Sequence, residues 1–244
     1  MPMIGFLYGV VSYGAFLASF LYAIGFVGNL LVPKSIDSGP SGPLGEALLV
    51  NVALLGLFAI QHSVMARPRF KAWWTRIVPD SVERSTYVLI SSLLLALLFW
   101  KWQAMSGSIW SVGNQLGRMA LNALFWLGWL IALWSTFMID HFDLFGLRQV
   151  YLRLRGVAYT PVRFNAGALY KFVRHPLMLG FLIAFWATPT MTLGHLLFST
   201  AMTAYIFIGI FFEERDLAAA HGTAFEQYRN DVPMILPAPG RRSR

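Results

Sequence analysis

Two groups of residues carry most of the polar chemistry in this chain. Arg174, His175 and Pro176 precede the paired carboxylates Glu213 and Glu214 by about forty positions, and upstream lie Asp140, His141 and Asp143 with Arg148 and Gln149. Pro176 suits the first turn of a helix, whose free N–H groups and positive dipole end favour a carboxylate or phosphate. Glu213 and Glu214 suit an ammonium group or the hydroxyls of a ribose. In the second group, acidic neighbours raise the basicity of a histidine, which makes His141 a candidate general base. Each group also has a plain alternative: an interfacial ion pair of Arg174 with Glu213, and, at Asp140, a helix end leaving the membrane with solvated charges. His62, beside Gln61, is a further candidate to line the same face, whereas His195 and His221 read as structural. With no HExxH, no cysteine and no two histidines on one span, a metal or haem site is not expected.

The elements that must position these residues are apolar. Of 244 residues, 57% are hydrophobic and 12% charged, about half the charged share of soluble domains. The mean hydropathy is +0.59. The absence of cysteine excludes disulfides, thiolate metal sites, iron–sulfur clusters and a cysteine nucleophile. Lys and Arg outnumber Asp and Glu by 19 to 11. That excess lacks the dispersed basic and aromatic pattern of a nucleic-acid binder and reads as a basic membrane face.

A span needs roughly 20 apolar residues, and six segments meet or approach that length, near 4–31, 45–66, 86–104, 119–140, 177–192 and 194–213. The first lacks a basic n-region and is about twice the length of a signal-peptide core, so it reads as a retained helix. The fifth is short and carries Pro189. The predicted fold is therefore an all-α polytopic bundle and a single membrane domain, 1–244. Its parts are four spans in 1–140, a connector at 141–176, and a C-terminal hairpin and cofactor-binding region at 177–237. A short Ser/Gly/Pro turn falls at 38–43.

Alternation across the bilayer leaves Lys34, Lys101 and Arg118 on one side and the other basic residues with both termini on the opposite side, which the positive-inside rule makes cytoplasmic. Arg67, Arg69, Lys71 and Arg76 carry the bias in one loop, and Arg148, Arg153, Arg155, Arg163, Lys171 and Arg174 carry it in another. Trp73, Trp74, Trp100, Trp102 and Trp110 fit aromatic belts. Spans five and six, joined by a residue or two near Leu193 and Gly194, are expected to form a tight antiparallel hairpin. The hairpin would bring Arg174-His175-Pro176 and Glu213-Glu214 to one cytoplasmic end. Beyond Glu214, the residues Leu217, Ala220, Ala224, Phe225 and Tyr228 recur at helical spacing until Pro233 and Pro237. They predict a cytoplasmic amphipathic helix, followed by a basic tail of Arg241, Arg242 and Arg244.

The ordered set 167–176 (GALYKFVRHP), Gly180, Glu213-Glu214, Leu217, Gly222, Tyr228 and Pro237 resembles the C-terminal region of isoprenylcysteine carboxyl methyltransferases and related membrane phospholipid methyltransferases. Upstream, 139–151 (IDHFDLFGLRQVY) resembles the nurim branch of that superfamily, which includes bacterial methanethiol S-methyltransferases. The resemblance implies a membrane enzyme, in a bacterial cytoplasmic membrane, that moves a methyl group from S-adenosylmethionine to a small thiol, turning methanethiol into dimethyl sulfide. It further implies that Tyr170, Arg174, His175, Pro176, Leu177, Met178, Glu213 and Glu214 form the cofactor region. The prenylcysteine enzymes usually carry tyrosine where this chain has Met178.

Thiol methylation needs a sulfur nucleophile held in line with the methyl group and shielded from water, and no covalent enzyme intermediate. Near attack distance, positioning supplies several kcal/mol. A nearby sulfonium favours the thiolate, and His141, oriented by Asp140 or Asp143, is the expected base. Arg148 and Gln149 are alternatives as groups that close the site. Prenylcysteine or phospholipid methylation, a nonenzymatic nurim-like scaffold, and a haem- or quinone-binding subunit are the rival readings.

Overall fold

The computed structural model describes residues 2–39, 42–162 and 167–236. Arg163, Pro237, the Arg241, Arg242 and Arg244 tail, and positions 40–41 of the Ser/Gly/Pro turn lie outside the described residues. In chain order the helices are α1 (Pro2–Gly28), α2 (Leu44–Ala66), α3 (Pro68–Trp74), α4 (Asp80–Lys101), α5 (Gln115–Ile139), α6 (His141–Leu144), α7 (Leu147–Leu154), α8 (Pro176–Trp186), α9 (Leu193–His221) and α10 (Thr223–Asp231). Two short strands, β1 (Ser108–Ser111) and β2 (Thr190–Thr192), form a small sheet. Helices α1, α2, α4, α5 and α9 are long and apolar enough to cross a membrane, and α8 is a shorter apolar helix. Their outward faces are bare hydrocarbon: Val11, Leu49, Leu130, Trp134 and Phe211 are exposed, a surface that lipid covers and water would not. The protein is an integral membrane bundle.

The chain divides into two compact units. The first comprises Met1–Ile109, Asp140–Val162 and Thr192–Leu196. Within it α1 runs parallel to α4: Tyr8 donates to the Thr86 hydroxyl at 3.0 Å near one end, Ser19 donates to the Ser92 carbonyl at 3.2 Å, and Tyr22 stacks on Phe99 near the other. The α2 helix runs antiparallel to α4. Asn51 exchanges two hydrogen bonds with the backbone of Gln103, at 2.8 and 2.9 Å, while at the opposite end His62 lies 3.2 Å from Ser91. Buried polar side chains thus lock helices to one another where hydrocarbon offers no competing partner. The amphipathic α7 docks on α4 through Gly146, at φ +84°. A Cβ there would stand 2.6 Å from the Ser85 nitrogen, and Ser85 donates to the Gly146 carbonyl at 3.0 Å. Only glycine meets both demands.

The second unit comprises Trp110–Ile139, Arg163–Met191 and Leu197–Arg244. Its centre is an antiparallel crossing of α5 and α8 made of small residues. A Cβ on Gly128 would lie 2.6 Å from both the Ala184 nitrogen and the Gly180 carbonyl, and one on Gly180 would lie equally close to the Ala132 nitrogen and the Gly128 carbonyl. Backbones in such contact gain dispersion and hydrogen-bond-like contacts that larger side chains forbid. Trp129, Phe181 and Phe185 flank the crossing.

Three expectations need correction. The fifth segment, expected at 177–192, is helical only over Pro176–Trp186, 11 residues or about 16 Å. Pro189 lacks an amide donor and biases Thr188 toward extended backbone. The freed groups find partners: Val112 donates to the Pro189 carbonyl at 2.9 Å, and the Trp110 indole donates to that of Thr188 at 3.3 Å. The connection to α9 is therefore 187–192, not a residue or two. Finally, the amphipathic segment is not one separate helix. It begins as the end of α9, breaks at Gly222 with φ +54°, and resumes as α10. Pro233 follows the end of α10, consistent with its role as a stop.

Candidate functional site

From Leu193 to Glu213, α9 rises roughly 30 Å, the thickness of a hydrocarbon core. The carboxylates of Glu213 and Glu214 therefore emerge at the far end of the span. The α8–α9 pair folds back as a hairpin, with Ser199 donating to the Phe185 carbonyl at 2.7 Å near the connection. At the other end Arg174 Nε donates to Glu214 Oε1 at 2.8 Å, and His175 Nε2 lies 3.0 Å from the same oxygen. Glu213 Oε2 stands 3.7 Å from His175 Nδ1. The imidazole therefore lies between two carboxylates. Arg174 pairs with Glu214 rather than Glu213, because α9 turns Glu214 inward (side chain 12% exposed) and leaves Glu213 half exposed at 50%.

The C-terminal segment closes over this group. The amides of Arg174 and His175 donate to the carbonyls of Pro233 and Met234 at 2.9 and 3.1 Å, a short ladder that position in the sequence does not announce. The Arg174 guanidinium also donates to the Arg229 carbonyl at 2.9 Å and to that of Val232, capping the end of α10. Tyr228 donates to the Tyr170 carbonyl at 2.7 Å. Burial, reinforced by the charge of Glu214 and opposed by Arg174, pushes the Tyr228 phenol up to about 12. Burial and then Glu213 push the Tyr170 phenol well above its ordinary range. Both remain neutral hydrogen-bonding groups at physiological pH. Among the described residues no side chain caps α8, so the Leu177 and Met178 amides stand in its first turn at the positive dipole end.

The second group is built in the first unit. Asp140 caps α6 by accepting from the Asp143 amide at 3.0 Å. Asp143 accepts from Arg148 at 2.8 Å and from the Tyr159 hydroxyl at 3.3 Å, and Arg148 reaches on to the Thr160 carbonyl at 2.9 Å. These bonds hold the Arg148 proton more firmly than usual, first through Asp143. Burial, then the charge of Asp143, raises the Tyr159 phenol. Gln149 donates to the Asp143 carbonyl at 3.0 Å. His141 is buried among Tyr13, Phe16, Phe142 and Phe145, and burial lowers its pKa against the opposing pull of Asp140. Its Nε2 lies 2.8 Å from the Tyr13 hydroxyl.

Tyr13 is the group that sequence reading missed. Its partner is 128 positions away, and nothing in the sequence singles it out from Tyr8 and Tyr22 on the same span. His62, a lesser candidate to line the same face, packs between Phe58 and Tyr87. His195 is fully buried, and its amide donates to Thr192 at 3.1 Å.

The fold and these clusters define a helical integral membrane protein with a braced ionic group at the end of its last hairpin. A family model described as "NnrU protein" matches residues 50–235, and the chain belongs to that family. It is 58% identical to a Mycobacterium tuberculosis protein named Methanethiol S-methyltransferase over 97% of each chain. A Crocosphaera subtropica protein of the same name is 53% identical over 97% of this chain and 93% of its own. The resemblance to nurim holds more distantly: rat nurim is 29% identical over 70% of this chain and 68% of its own. No solved structure matches the chain.

Proposed function

We propose that this protein is a membrane thiol S-methyltransferase that converts methanethiol to dimethyl sulfide with S-adenosylmethionine as methyl donor. The observation that carries this reading is the 58% identity, over 97% of both chains, to a protein bearing that activity as its name. The donor set in the second unit fits such a cofactor. Glu213 offers a half-exposed carboxylate to an ammonium or ribose hydroxyls, Tyr170 offers a neutral phenol, and the Leu177 and Met178 amides suit the cofactor carboxylate.

When bound, the cofactor would supply an activated methyl group, with its sulfonium sulfur as the leaving group. Arg174 and Glu214 act through one another as a brace that fixes the His175 ring, since their facing atoms are already hydrogen-bonded. Pro176 sets the start of α8. His141 takes the thiol proton. Burial among aromatic rings favours its neutral form, the one that accepts a proton. Asp140 and Asp143 shape the segment that carries it, by capping α6 and holding Arg148.

Charge supports an orientation with both termini in the cytoplasm. The basic residues Arg67, Arg69, Lys71 and Arg76 gather around α3, at the end of α2 that packs beside the start of α4. The functional test offers purified protein, in lipid nanodiscs with S-adenosylmethionine, three acceptors: methanethiol, a prenylated cysteine and phosphatidylethanolamine. Methylation of methanethiol alone is expected. Preference for either larger acceptor would overturn the substrate, and no methylation in folded protein would favour a nonenzymatic scaffold.

A further inference from the structure

The His141 ring has a hydrogen-bonding partner on a distant span. The Tyr13 hydroxyl lies 2.8 Å from Nε2, with the two rings edge-on at 5.7 Å. Tyr13 is half-buried on α1, and the position of its ring is fixed by Phe16 at 5.9 Å and Phe142 at 6.1 Å. We propose that Tyr13 is a positioning residue for thiol activation: its phenol orients the His141 imidazole and its oxygen accepts the Nε2–H of the ring when that ring carries the thiol proton. The inference rests on the reading of His141 as base.

In this step the thiol S–H bond breaks, its electron pair stays on sulfur, and the proton passes to the neutral imidazole. The resulting imidazolium is a poor occupant of an aromatic enclosure unless both N–H groups find acceptors. At Nε2 that acceptor is the Tyr13 hydroxyl, 2.8 Å away. Asp140 favours the cation electrostatically, but one of its oxygens caps α6. Asp143 is engaged by Arg148 and Tyr159. Arg84, from α4, donates to the Leu144 carbonyl at 2.7 Å. A phenol accepts a hydrogen bond without adding charge, and it does so from a helix held to α4 by Tyr8 and Ser19.

The test compares Tyr13→Phe, His141→Gln and the unaltered protein in nanodiscs. It reads kcat and KM for methanethiol from pH 6 to 10, S-adenosylhomocysteine affinity by calorimetry, and thermal stability. Tyr13→Phe should lower kcat about tenfold near pH 7 with unchanged cofactor affinity. The defect should shrink as pH approaches the acceptor's own pKa, about 8.5 or above for an alkyl thiol, because a self-ionising thiol needs no base. A defect equal at every pH would mean packing alone and overturn the proposal. Normal kcat in Tyr13→Phe with a slow His141→Gln variant would overturn the role of Tyr13 and leave that of His141. Normal kcat in both would overturn the base assignment itself.

Discussion

Glu214 accepts a hydrogen bond from Arg174 at 2.8 Å across 40 residues of chain, and this pair joins the start of α8 to α9 about two turns before that helix ends. The guanidinium is 8% exposed and the carboxylate 12%. Both ends of the last hairpin and the C-terminal segment depend on it.

Removing one partner of a buried pair leaves the other uncompensated. Arg174→Ala should destabilise the second unit by about 3 kcal/mol, because it strands the Glu214 charge and uncaps the Arg229 and Val232 carbonyls. Thermal unfolding in detergent measures this. Arg174→Lys should recover only part, since a lysine cannot donate in two directions from a planar fork. Full recovery would show that charge alone matters.

Glu213 predicts a different phenotype. Its side chain is half exposed, so Glu213→Gln should leave the unfolding temperature within about a degree or two. If the carboxylate holds the cofactor, S-adenosylhomocysteine affinity should fall about tenfold, the loss of one charge-assisted hydrogen bond. Calorimetric titration reads the difference, and unchanged affinity would remove Glu213 from the cofactor site.

Gly180 belongs to the motif that carries the family resemblance, and its structural reason is the α5 crossing. Gly180→Ala would drive a methyl into the Gly128 carbonyl and Ala132 amide, each 2.6 Å from its ideal position. Overpacking of this kind costs about 1–3 kcal/mol. A lowered unfolding temperature with unaltered spectra of the first unit's tryptophans is the expected result.

The His141 pKa lies below its ordinary value of 6.5, because burial disfavours the cation more than Asp140 favours it. The sign follows: below pH 6.5 the unfolded chain binds a proton there that the folded chain resists, so stability falls with acidification. At higher pH the term vanishes. The acid limb of kcat should accordingly sit below pH 6.5, and His141→Gln should abolish both the limb and that share of the acid instability.

Much of this was legible in the chain. The spans follow from apolar length, and the meeting of Arg174-His175 with the two glutamates follows from the hairpin of 177–192 and 194–213, although only Pro176–Trp186 of its first arm is helical. The choice of Glu214 over Glu213 was not legible, because it depends on the rotation of α9 about its axis, which packing sets. Nor was the break at Pro189 fully legible, since prolines within spans are tolerated when neighbours satisfy the backbone, and those neighbours, Trp110 and Val112, lie far off in sequence. The His141–Tyr13 contact and the ladder of 174–175 with 233–234 are long-range pairings without periodicity to betray them.

The most direct test supplies purified protein in nanodiscs with S-adenosylmethionine bearing a trideuterated methyl group, together with unlabelled methanethiol, and analyses the headspace by mass spectrometry. The account predicts dimethyl sulfide heavier by three mass units, formed at a rate proportional to enzyme and reduced in Glu213→Gln. Folded protein that releases no labelled dimethyl sulfide would contradict it.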